Sequence, residues 1–137
     1  MGKQELHHSH NAVYRLVYHL VLVSKYRRKV FTDAILMRCA EILGALCVAH
    51  GGALLECSGE GDHVHALIDM PPKVQPSAII NNLKTVSSRR LRAEFPALRL
   101  AYRGKPVLWS PSYCLVSAGG APIEILRQYV ENQERPE

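Results

Sequence analysis

The chain has little of several features that would place it in a special class. Its four cysteines, Cys39, Cys47, Cys57 and Cys114, show no C-x-x-C spacing. Neither a zinc knuckle nor a dithiol redox motif is indicated, and the thiols read as small buried apolar groups. Apolar runs are short: Leu20 to Val23 falls far below the ~20 residues that cross a bilayer. The N-terminus lacks the apolar core of a signal peptide, so a cytosolic protein is expected. No repeat at solenoid periods is present. Acids are scarce in the first 122 residues, which hold 15 bases against 8 acids, whereas from Ile123 onward four acids meet two bases.

What remains is ordinary globular material, 47% hydrophobic and 21% charged over 137 residues. That length supports one domain with a proper core and is too short for two. The bases cluster in Lys25-Tyr-Arg-Arg-Lys29 and between Lys84 and Lys105, a span with seven bases and one acid. A charge cluster alone reads as a solvated surface. Here Tyr26, Tyr102, Trp109 and Tyr113 lie among the cations. Cations hold a phosphate backbone while flat rings stack on unpaired bases, so the mixture suits single-stranded nucleic acid.

Residues 1–13 are polar and histidine-rich and read as a flexible arm before one domain at 14–137. From Tyr14 to Ser24 the residues are β-branched and aromatic, apolar at both parities, as in a central strand. Thr32 or Asp33 can cap a helix with Ile35, Cys39, Ile42, Leu43 and Leu46 on one face, ended by Gly51-Gly52. Ala53 to Ser58 and His63 to Met70 form a predicted hairpin around Gly59-Glu-Gly-Asp62. Pro76 opens a second helix running to Glu94, with Ile79, Ile80, Leu83 and Val86 inward. A Pro- and Gly-containing stretch leads to a strand around Tyr113 to Ser117. After Gly119-Gly120 a last helix is predicted from Pro122 to Gln133. The order β-α-β-β-α-β plus a helix predicts an α+β fold of ferredoxin-like or RRM-like type, an antiparallel sheet with two helices packed on it.

Two short patterns carry the chemistry. In Asp62-His63-Val64-His65 the strand period puts both imidazoles on one face and Val64, Ala66 and Ile68 on the other. On the last helix Ile123, Leu126 and Val130 form a buried stripe, with Tyr129 and Gln133 one turn apart on its shoulder. Each pattern alone has a bland reading. His8-Ser-His10 in the arm has the same spacing as the strand pair, and a tyrosine beside a helical apolar face is commonly core. Two imidazoles also do not complete a site for a hard cation, which needs oxygen; Gln133 could supply a carbonyl.

Jointly the patterns resemble a family. Asp62-His-Val-His-Ala-Leu-Ile68 matches the HUH motif, two histidines around a hydrophobic residue. Ile125-Leu-Arg-Gln-Tyr-Val-Glu-Asn-Gln133 resembles the tyrosine helix of the small single-tyrosine transposases of the insertion-sequence 200/605 group. Val17 to Lys29 resembles that family's first strand and basic turn, and Trp109-Ser-Pro-Ser-Tyr-Cys114 resembles another of its segments. The likeness runs from about Tyr14 to Gln133. Ala66 departs from a common leucine, and the histidine-rich arm has no role in the family pattern.

The resemblance implies that His63, His65 and Gln133 hold one divalent ion, Mg²⁺ or Mn²⁺, and that Tyr129 attacks the scissile phosphate. The product would be a 5′-phosphotyrosine link that a 3′-hydroxyl can later reverse without ATP. Solvent, the metal environment and Asp62 all stand as the base for the phenol. The implied partners are single-stranded DNA with hairpin ends and a second copy of the chain, whose tyrosine helix could complete the site across Gly119-Gly120. An acting protein would be found at the nucleoid. From charge and ring chemistry, Lys25, Arg27, Arg28, Arg89 and Arg90 are expected phosphate contacts, and Tyr26 and Trp109 expected stacking residues. Two other readings remain: a domesticated transposase acting on repetitive extragenic palindromes, and a non-catalytic RRM-like binder of single strands.

Overall fold

The computed structural model describes residues 6–8, 12–118 and 128–133. At its centre is a four-stranded antiparallel sheet in the order β4-β5-β3-β6, where β3 is Val17–Val23, β4 Ala53–Glu60, β5 His63–Asp69 and β6 Cys114–Ser117. Two helices, α1 (Asp33–Ala49) and α2 (Pro76–Glu94), cover one face. This is the α+β arrangement expected from the element order. No described helix is long and apolar enough to cross a membrane.

The helix-covered face follows from the period of the strands. Leu20 and Leu22 of β3 and Val64, Ala66 and Ile68 of β5 pack against Ile35, Cys39, Ile42 and Leu43 of α1 and Ile79, Ile80 and Leu83 of α2. All these side chains are almost fully buried. Every second residue must then face the other way. In the β3–β5 register Val21 is opposite His65 and Val23 opposite His63, so both histidines stand on the face the two helices leave open.

Local chemistry sets the boundaries. Thr32 accepts the Ile35 N–H and starts α1. Gly51, at φ +87°, stops it in a conformation that favours glycine. Pro76 supplies the first turn of α2, which ends at Phe95 because Pro96 has no N–H to continue the ladder. Pro96–Ala101 then forms a short helix, α3, with Leu98 fully buried, where only an irregular stretch was predicted. Its leucine and alanine content needs no longer period to make two turns once Leu98 finds the core. The β4–β5 connection is tighter than the predicted turn, closing through Gly61 and Asp62 alone. Gly59 permits that closure, since a Cβ there would lie 2.5 Å from the His63 carbonyl oxygen.

The first strand is shorter than the Tyr14-to-Ser24 segment expected. Val13–Tyr14 (β2) instead pairs with His7–His8 (β1) in a separate small hairpin. His7 Nε2 also lies 2.6 Å from Asp69 Oδ2, so the described part of the N-terminal arm is tied to the end of β5. Cys39 and Cys47 are buried on α1, and burial pushes both thiols up to about 12. The expected joint at Gly119-Gly120, the helix start at Pro122, Ile123 and Leu126 lie outside the described residues.

Candidate active site

The open face of the sheet is built from β3 and β5. His63 and His65 are half-buried there, with Val21 and Val23 beside them. The helical residues 128–131 lie over the same face. Val130 is buried against Val21 and Val23, and Tyr129 packs against the same cluster. A cavity of about 590 Å³ opens beside them, lined among others by Arg27, Asp62, His63, His65, Val130 and Glu131.

Both imidazoles have one ring nitrogen held. His63 Nδ1 is 2.8 Å from Asp62 Oδ1, which leaves Nε2 as its donor to a ligand. His65 Nε2 is 2.9 Å from His19 Nδ1, and the two rings stack with centroids 5.0 Å apart. Partners of this kind fix the tautomer and plane of a metal-binding histidine. Burial, followed by the neighbouring His19, lowers the His65 pKa below its ordinary value of 6.5 and keeps the ring neutral. A neutral imidazole is the form that can coordinate a cation.

Asp62 joins the histidine strand to the basic turn. Burial opposes its charge, but hydrogen bonds from His63 and Arg27 outweigh that cost and hold the carboxyl below the usual range. Arg27 Nε donates to Asp62 at 3.2 Å, and a second guanidinium nitrogen donates to the Glu131 carbonyl at 3.1 Å. One side chain thus ties the strand's acid to the backbone of the tyrosine turn.

Tyr129 and Gln133 are brought together, one turn apart, but their polar ends go to the loop after Trp109. The Tyr129 hydroxyl is 2.8 Å from Ser112 Oγ, and Gln133 Oε1 accepts from Ser112 at 3.1 Å and Ser110 at 3.3 Å. Burial raises the Tyr129 pKa and Ser112 only partly offsets it, so the phenol keeps its proton. The loop is anchored from α2. Lys84 Nζ donates to the carbonyls of Ser110 at 2.8 Å and Pro111 at 3.0 Å. The donor set fits a divalent ion in part: two oriented nitrogens lie on one face, and the amide oxygen needed to complete the set is engaged by serines. Among the described residues no cluster of three His, Cys, Asp or Glu groups could hold a metal by itself.

The expected nucleic-acid contacts divide. Lys25, Tyr26 and Arg28 lie on the turn after β3, with Tyr26 exposed. Arg89 is exposed and Arg90 half-buried on α2. Trp109 is a correction. It is only 7% exposed, its ring packs on Phe31, and its N–H donates to Ser87 Oγ at 3.0 Å. A bridge between Ser24 and Trp109 draws the indole into the core, so its face is not available to a base. His19 and Ser112 were not singled out by sequence reasoning. His19 shares the parity of Val21 and Val23 on an otherwise apolar strand, which is the signal that could have found it; Ser112 had none beyond its place in the Trp109-to-Cys114 segment.

Comparison with known proteins adds descent to this geometry. A family model described as IS200-like transposase matches residues 12–133. The ISDra2 transposase TnpA of Deinococcus radiodurans is 30% identical over 125 residues, 91% of this chain and 89% of that protein. The transposase for insertion sequence element IS200 of Salmonella typhimurium is 32% identical over 116 residues, 85% of this chain and 75% of that one. Among solved structures, one assigned as a Deinococcus radiodurans R1 transposase superimposes with a TM-score of 0.87 at 31% identity, covering 95% of this chain and 99% of that one. A REP-associated tyrosine transposase bound to a REP hairpin shares the fold at a TM-score of 0.54 and 11% identity, covering 90% and 69% of the two chains. With the histidine pair on one strand and the tyrosine turn across the same face, this chain belongs to the IS200-like transposases, the single-tyrosine family of the IS200/605 group.

Proposed function

We propose that the chain cleaves and rejoins single-stranded DNA at insertion-sequence ends, after recognising hairpins, through a 5′-phosphotyrosine at Tyr129. The observation that carries the reading is the shared sheet face: the cavity lined by His63 and His65 is also lined by Val130 and Glu131, next to Tyr129 in the chain. His63, His65 and Gln133 would hold Mg²⁺ or Mn²⁺. When bound, such an ion supplies charge stabilisation at the phosphoryl and leaving oxygens.

The remaining chemistry belongs to the chain. Asp62 and His19 orient the two imidazoles, and Arg27 keeps the tyrosine turn against the cavity. The Tyr129 oxygen attacks phosphorus, the bond to the 3′ oxygen breaks, and that oxygen takes a proton from solvent and leaves as a hydroxyl. The phenol proton must go to a base, and because burial raises the Tyr129 pKa this removal is a real part of the barrier. For the attack, Tyr129 must give up its Ser112 contact, and Gln133, once released from Ser112, would be free to help hold the ion. A second 3′-hydroxyl attacking the phosphotyrosine reverses the step and joins new ends. The working form in this proposal is a homodimer, and the tyrosine turn serves either its own protomer or the partner.

The test is incubation of the protein and Mg²⁺ with labelled single-stranded hairpin DNA from the flanks of its own gene. A covalent adduct is expected in the wild type and none in Tyr129→Phe. An adduct with Tyr129→Phe would refute the nucleophile. No adduct with the wild type would favour the non-catalytic binder. Hairpins at dispersed chromosomal palindromes, with none flanking the gene, would favour the domesticated relative.

A further inference from the structure

The basic turn after β3 is a wall shared by two cavities of opposite character. Arg27 faces the histidine cavity, which also carries Glu60, Asp62 and Glu131. Its neighbours Lys25, Tyr26 and Arg28 line a second cavity of about 330 Å³, completed by Tyr102, Arg103 and Lys105. That volume is at the lower end of the ~300–1,000 Å³ of small-ligand sites. Four cations and two phenols line it, and no acid does. A lining of one charge sign concentrates anions more strongly than the first cavity, where three acids stand against Arg27 and Lys29.

The second cavity is constructed, not a chance gathering of surface lysines. Among the described residues only three non-glycine positions have positive φ: Tyr26 at 62°, Arg27 at 54° and Arg103 at 54°. Tyr26 and Arg103 line this cavity, and Arg27 joins Tyr26 to Arg28 in its wall. Such residues are strained, and strain of this kind gathers at ligand clamps. The two strained segments are fastened together. The Tyr102 hydroxyl donates to the Lys25 carbonyl at 2.8 Å, the Arg28 guanidinium donates to the Ala101 carbonyl, and the Lys25 N–H donates to the Leu108 carbonyl at 2.8 Å. Tyr102 is almost fully buried and forms the floor, whereas Tyr26 is 37% exposed. The Tyr26 ring has Lys25 Nζ 5.5 Å and Arg28 Cζ 5.6 Å from its centroid. A flat ring partly open to solvent, with two cations close to it, suits a nucleobase joined to phosphates.

We propose that this cleft binds one unpaired deoxynucleotide, with Tyr26 as the base platform and Lys25, Arg28, Arg103 and Lys105 holding the adjoining phosphates. The inference deepens the single-stranded DNA reading above and rests on it. Because the turn is common to both cavities, a strand seated here runs on past Arg27 towards His63 and His65.

The experiment measures binding of a fluorescein-labelled single-stranded oligodeoxythymidylate and of a duplex of equal length to the full chain at several salt concentrations. Three variants are compared: Tyr26→Asn, which tolerates the positive φ, Tyr26→Phe, and the double variant Arg103→Asn/Lys105→Ala, chosen for the same reason at Arg103. Circular dichroism confirms that each is folded. Tyr26→Asn is expected to weaken single-strand binding about tenfold with little effect on duplex, and Tyr26→Phe to bind as the wild type does. The double variant should reduce the slope of log K against log salt by about 1.4, two phosphates at about 0.7 each. Wild-type affinity in both Tyr26→Asn and the double variant overturns the proposal. So does an equal loss on duplex and single strand, which marks a general basic surface. Adduct formation on hairpin DNA is followed in parallel. If the wild type forms no adduct while the variants still lose single-strand binding, the catalytic reading fails and the cleft stands. If the adduct forms and the variants bind normally, the cleft alone is refuted.

Discussion

The Ser112 hydroxyl lies 2.8 Å from that of Tyr129 and also donates to the Gln133 side chain at 3.1 Å. One serine therefore engages both residues that the tyrosine helix would bring to the scissile phosphate. If this contact opposes attack, its removal should speed the reaction. A net hydrogen bond is worth about 1 kcal/mol, or about fivefold in rate. Ser112→Ala should raise the initial rate of covalent adduct formation two- to fivefold. A slower rate would show that Ser112 assists the phenol, as by orienting its proton.

Lys84 supports that loop from the helix side, with two carbonyls within 3.0 Å of its ammonium group. Burial lowers its pKa, so its charge is retained against a desolvation cost. Lys84→Met keeps the stem and removes the donor. The expected loss of stability is about 1–2 kcal/mol in a urea titration. A stability equal to wild type would mean that water replaces the ammonium group without cost.

The histidine supports predict metal affinity. Asp62→Asn and His19→Phe leave His63 and His65 in the chain but alter the group that fixes each ring. Both should weaken Mn²⁺ binding, read by titration calorimetry, by about 10- to 100-fold. His19→Phe retains the stacking partner, so an affinity equal to wild type would reduce His19 to a packing role. Complete loss is expected only on removing His63 or His65.

The lowered pKa of His65 also has a thermodynamic sign. Below 6.5 the unfolded chain takes up a proton on this residue before the folded one does. Stability from the neutral ring is therefore fully present above pH 6.5 and is lost as pH falls from 6.5 towards the folded value. The melting temperature should fall between pH 7 and pH 5.5, and His65→Asn should flatten that dependence. An unchanged slope in His65→Asn would assign it to other groups.

Much of the architecture was legible because periodicity carries it. Ile35, Cys39, Ile42 and Leu43 on one helix, and the alternation of Val64, Ala66 and Ile68 with His63 and His65, already divide the domain into a covered face and an open one. Thr32, Gly51, Pro76 and Pro96 mark boundaries because their backbone chemistry is local. Trp109 was misread for the converse reason. Its position among basic residues pointed to stacking, whereas its surroundings are Phe31 and Ser87, far from it in the chain.

By itself the sequence determined which residues share a strand face or a helix turn, since those depend on spacing of a few residues, and it named the histidine pair and the tyrosine. Only tertiary structure decided what those groups meet. Asp62 meeting Arg27, His65 meeting His19 and Tyr129 meeting Ser112 all join residues 17 or more positions apart. Such pairs are set by strand register and by the packing of the tyrosine turn on Val21 and Val23, where no local pattern can specify the partner.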